Sequence, residues 1–80
     1  MAAMGMHGGM DALESAKPFD RAFLTAMIPH HASAVMMANM LLAEDGRPEL
    51  RRLAQEIIAA QSREIGQMQR WRQAWYPPLG

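Results

Sequence analysis

Cysteine is absent from the 80-residue sequence, so disulfides and thiolate metal sites are excluded, and any metal must be held by His, Met, carboxylate or amide groups. Charge of one sign is not in excess either. Eight Lys and Arg residues balance eight Asp and Glu residues, with no dense basic run of the kind that tracks a phosphate backbone, so nucleic acid is not an expected partner. Long apolar runs are also missing: no stretch approaches the roughly 20 residues a membrane-spanning helix needs, and the first residues lack the apolar core of a signal peptide. No serine or cysteine nucleophile stands beside an oriented base. Ser33 lies near His30 without a third group to align the pair, and no glycine-rich phosphate loop joins a strand to a helix. The expectation is therefore a protein that is not an enzyme.

What is present is a half-hydrophobic chain, enough for one small domain, with nine methionines and two tryptophans near its C-terminal end. The opening Met4-Gly5-Met6-His7-Gly8-Gly9-Met10 has neither helical nor strand period, and residues 1–16 read as a flexible arm. From residue 17 to 76 the pattern is that of a helical hairpin, followed by a tail over 77–80. Pro18 and Asp20 suit a helix start, and a helix over about 18–44 would carry Phe19, Phe23, Met27, His30, Ala34, Met37 and Leu41 along one seam. Gly46 and Pro48 punctuate the turn. A second helix over about 48–76 would align Leu50, Leu53, Ile57, Gln61, Glu64, Met68, Trp71 and Trp75, until Pro77 and Pro78 stop it. Pro29, inside the first helix, leaves the carbonyl of Thr25 without its usual donor and predicts a kink just before the histidines.

A short connection makes the two helices antiparallel neighbours. Counting outward from the turn pairs Leu41 with Leu50, Ala34 with Ile57, His30 with Gln61, Met27 with Glu64 and Phe23 with Met68. Polar seam residues then meet at one level. Each helix covers only one stripe of the other, while ordering a residue costs about 1 to 2 kcal/mol of backbone entropy and burying a large apolar side chain returns roughly 1.5 to 3 kcal/mol. The hairpin is thus expected to pair with a second copy, as a homodimer forming a four-helix bundle.

Met27, His30 and His31, followed by Met36, Met37 and Met40, form the densest group of soft or borderline metal ligands. Met27 is a helical neighbour of both histidines, and Met36 and Met40 are neighbours on the outer flank. Thioether and imidazole together favour Cu(I), and Ag(I) should follow. In the arm, Met4, Met6, His7 and Met10 could wrap a soft ion because glycine frees the backbone. A carboxylate-bridged di-iron or di-manganese site ranks lower: it wants Glu-x-x-His, and Met27 and Ile28 stand three residues before His30 and His31, leaving Glu64 and Asp20 as possible oxygen ligands. Two plainer readings compete. Methionines at helical spacing are often gap-filling core, the expectation for Met37 and Met68, and His30, Gln61 and Glu64 could form a hydrogen-bonded layer that fixes register with no metal.

Phe19-Asp20-Arg21-Ala22-Phe23, Met27-Ile28-Pro29-His30-His31, Ala34 and Met37-Ala38 resemble the first helix of the domain-of-unknown-function 305 family. Leu53-Ala54, Ile57-Ile58, Gln61, Glu64-Ile65, Met68 and Trp71 are similar to its second helix. The resemblance implies a ferritin-like helical bundle, export to the periplasm or beyond, and, for some members, copper binding through Met and His. Carried to this sequence it singles out Met27, His30, His31, Met37, Gln61, Glu64 and Met68. Members often contain two hairpins in one chain, and a homodimer would replace the second.

Overall fold

The computed structural model describes residues 12–78, and among them every regular element is helical. Within the segment expected to be a flexible arm, a helical turn over residues 12–15 closes with the N–H of Ala16 on the carbonyl of Leu13. Two long helices follow: α1, Phe19–Ala43, and α2, Pro48–Trp75. Pro18 precedes α1 in extended conformation as its N-cap, and Asp20 places a carboxylate at the positive end of the helix. The helix continues through Pro29 without interruption, with the Ser33 hydroxyl donating to the Pro29 carbonyl at 3.1 Å.

Gly46 does not stop α1 in the way its position suggests. The helix ends at Ala43, Glu44 turns extended, and the N–H of Glu44 returns to the Leu41 carbonyl at 3.0 Å. Gly46 matters for space instead. A Cβ there would lie 3.3 Å from Leu41 Cδ1, tighter than ordinary van der Waals contact. No basic residue occupies the last turn of α1, and Arg51 of α2 supplies the missing cation: its Nη1 donates to the Leu42 carbonyl at 3.0 Å and the Glu44 carbonyl at 2.9 Å. Those carbonyls belong to the negative end of α1, where a cation is favoured. Pro48 opens α2 at a position where its missing N–H costs nothing.

Leu24, Ala38, Ala54 and Met68 are the buried apolar residues among those described, at 4%, 6%, 2% and 6% exposure. Two of the four are alanines, whose small side chains let the helices approach closely. This seam differs from the expected one. Phe19, Phe23 and Met37 on α1, and Leu50, Leu53, Trp71 and Trp75 on α2, are exposed rather than enclosed between the helices. α1 is apolar over more of its circumference than one partner helix can cover, and the Ala38 and Leu24 sector faces inward. Met37, expected as gap-filling core, is 65% exposed, whereas Met68 is core.

Candidate metal centre

Midway along the hairpin, His31 Nε2 lies 2.6 Å from Glu64 Oε1, the contact that joins the polar residues of the two helices. The sequence count set His30 against Gln61 and Met27 against Glu64. The structure instead leaves His30 exposed, turns His31 inward, and shifts the partner of Glu64 by four residues along α1. The shift has a physical cause. Helical side chains lean toward the N-terminus of their own helix, so in an antiparallel pair those of α1 lean away from the turn and those of α2 lean back toward it. Tips therefore meet when the α2 residue sits farther from the turn than its α1 partner.

One turn before His31 is Met27, and one turn after Glu64 is Met68. In antiparallel helices both steps run the same way, and Met27, His31, Glu64 and Met68 line one open cleft of about 390 Å³. Phe23, Leu24, Gln67 and Trp71 complete its walls. Met68 is buried, Met27 is half-buried, and the side chain of His31 is 11% exposed against 56% for Glu64. The other imidazole nitrogen, His31 Nδ1, is buried and has no hydrogen-bond partner. Such an orphan costs about 1 to 3 kcal/mol unless something satisfies it. Two thioethers and an imidazole around one cleft match the donor preference of a soft monovalent ion.

The remaining candidates are dispersed. Met36, Met37 and Met40 are exposed, as is His30, and Gln61 is half-buried on α2. Met4, Met6, His7 and Met10 lie outside the described residues. Among the described residues no group of three or more His, Cys, Asp and Glu gathers, and the Glu64 oxygen nearest the seam is taken by His31. That arrangement does not fit the carboxylate-rich shell of a di-iron or di-manganese centre. Gln67 and Trp71 of the cleft wall, and Arg51 at the turn, were not selected as site or capping residues from sequence. The empty last turn of α1 is the signal by which Arg51 could have been found.

The family model for the domain of unknown function DUF305 matches residues 1–77. This chain belongs to the DUF305 family. Its fold is that of part of CopM: the Cu(I)-bound form is 52% identical, with a TM-score of 0.80 over 84% of this chain and 48% of that chain. The Cu(II)-bound form gives 52% identity and a TM-score of 0.81 over 84% of this chain and 45% of that one, and the co-crystallised Ag-bound form gives 53% and 0.79 over 82% and 48%. An uncharacterized protein, L153 of Acanthamoeba polyphaga mimivirus, is 37% identical over 49 residues, which are 61% of this chain and 32% of that protein. The DUF305 chain described here thus spans about half the length of the CopM structures and about a third of the viral protein. No helix among the described residues is long and apolar enough to cross a membrane.

Proposed function

We propose that this DUF305 chain binds Cu(I) and Ag(I) without catalysing a reaction, and that it sequesters or passes on copper outside the cytoplasm. Its likeness to CopM in Cu(I)-, Cu(II)- and Ag-bound forms, at 52 to 53% identity, is the observation that supports this reading most. The cleft supplies a chemical rationale. Met27, His31 and Met68 are the principal donors, Met36, Met37, Met40 and His30 are exposed secondary donors, and Met4, Met6, His7 and Met10 could add capacity. Soft sulfur and imidazole select monovalent copper and silver over hard cations, and iron or manganese would find too few oxygens.

A second copy of the chain covers the exposed apolar face in this proposal. Phe19, Phe23, Leu50, Leu53, Trp71 and Trp75 are each at least two-fifths exposed and sit on both helices, leaving a surface whose burial would stabilise association. A homodimer at twice the chain mass in solution is the expected result, and Trp75→Ala should weaken it. A monomer at high concentration would remove the dimer from the proposal.

The competing reading is a purely structural polar layer, which the 2.6 Å contact between His31 and Glu64 favours. Titrating Cu(I) against a colorimetric chelator separates the two. The intact chain should strip copper from the chelator, and His30→Ala with His31→Ala should lose at least about tenfold in affinity, which is about 1.4 kcal/mol. Failure of the intact chain to compete would reject metal binding.

A further inference from the structure

The carboxylate of Glu64 is within bonding distance of one imidazole nitrogen, while the other is sealed from solvent and unpaired. We infer that Glu64 is a positioning residue for His31: it accepts the Nε2–H, holds the ring in that tautomer, and leaves the Nδ1 lone pair as the nitrogen donor free to bind a metal. The assignment of Nδ1 as the metal-binding atom rests on the proposed soft-metal function; the assignment of the tautomer does not.

The chemistry of the pair leaves little choice. A neutral imidazole has one nitrogen that donates and one that accepts, and an ionised carboxylate only accepts. In the neutral ring, a 2.6 Å approach of Nε2 to Oε1 therefore places the proton on Nε2 and the lone pair on Nδ1. Nδ1 is buried and has no hydrogen-bond partner. Met27 and Met68 line the same cleft as His31, so the two sulfur side chains and the ring share one space. A carboxylate behind the non-ligating nitrogen fixes ring orientation and raises the basicity of the ligating one. Glu64 then serves the site without touching the ion, in place of the direct ligand role its position in the sequence suggested. Its own exposure, 56%, means that removing its carboxylate opens no hole in the core.

Long-range proton–nitrogen correlation spectra of the full chain test this directly. In alkaline buffer without metal, His31 should carry its proton on Nε2, protected from exchange by Glu64, and Glu64→Ala should lose that protection while circular dichroism stays unchanged. On adding Ag(I), the resonance of Nδ1 should move in the intact chain. Glu64→Ala should lower Ag(I) affinity about 10- to 100-fold and let Nε2 compete as ligand, and Glu64→Gln, whose amide oxygen accepts the same N–H, should restore Nδ1 ligation. A proton on Nδ1 in the metal-free chain overturns the inference, as does Ag(I) on Nε2 of the intact chain. If Ag(I) moves neither nitrogen while the tautomer still depends on Glu64, the ligand assignment fails together with the proposed function, and the positioning of the ring is retained.

Discussion

The two ends of the hairpin are built on opposite terms. At the turn, Arg51 donates to two carbonyls of α1, Gly46 makes room for Leu41, and the connection closes on itself. At the other end the aromatic residues pair along their own helices rather than across them: Phe19 with Phe23 at 6.1 Å, and Trp71 with Trp75 stacked at 5.5 Å and 7°. Those rings remain exposed. The turn end thus satisfies its backbone within one chain, though Leu50 and Leu53 stay exposed there, whereas the open end sets its exposed aromatic rings where they gain by being covered. The candidate metal cleft lies toward the open end, with Phe23 and Trp71 in its wall, so whatever covers the aromatics also bears on access to His31.

The strongest way to break this contrast is to part the helices where the seam is most deeply buried. Ala54 is 2% exposed, and Ala54→Asp would bury a carboxylate in the apolar seam. Uncompensated buried charge costs at least about 3 to 5 kcal/mol, comparable to the whole stability of a domain this small. Thermal melting followed by circular dichroism should show no cooperative transition for this variant. A cooperative melt near that of the parent chain would mean that the Ala38 and Ala54 seam is not what holds the hairpin.

Met68→Ala asks whether the open end has a core of its own. Met68 is buried beside the candidate cleft, and truncating a buried methionine costs about 2 to 5 kcal/mol, the lower figure applying where neighbours collapse into the gap. We predict a loss of about 2 kcal/mol in chemical denaturation, because the cleft is already open on one side. In the proposed function the same variant also weakens Cu(I) binding. A change in stability with unaltered copper affinity would leave Met68 as core alone.

Much of this architecture was legible in the residue pattern, and the part that was not has definite physical origins. The two helices announce themselves through apolar spacing, Pro48 at a helix start and the terminal Pro77 and Pro78. The angular position of the seam was harder to read, since Phe23 and Leu24 are equally apolar and only packing against Met68 and its neighbours decides which turns inward. That ambiguity is why His30 stood in place of His31. Register along the axis failed for a second reason: counting from the turn treats side chains as perpendicular to the helix, whereas their lean displaces the meeting point by a turn and brings Glu64 to His31. The soft donors themselves were visible as residue types, but Nδ1 and Nε2 become distinguishable only when a hydrogen bond marks one of them.

Arg51→Ala probes the turn end. Its guanidinium makes two charge-assisted bonds to carbonyls at the end of α1, and hydrogen bonds to charged groups contribute about 1.5 to 3 kcal/mol. Partial exposure favours the lower figure, and we predict a loss of about 1.5 kcal/mol by denaturant titration. Hydrogen exchange should rise most in the last turn of α1, whose carbonyls lose their partner. Uniform acceleration across both helices would instead mean that the turn unfolds only with the whole molecule.

The smallest expected effect on folding comes from the exposed sulfur on α1. Met36 and Met40 are 65% and 62% exposed and one turn apart, so replacing both with serine removes almost no buried surface and should change stability by no more than about 0.5 kcal/mol. Its value lies in separating secondary from principal metal donors. If the cleft of Met27, His31 and Met68 holds the tightest ion, the double variant keeps its affinity in the chelator competition and loses only weaker binding at excess Ag(I). A fall in the tightest affinity would move the principal site from the cleft to the outer face of α1, where no described residue of α2 would be needed to complete it.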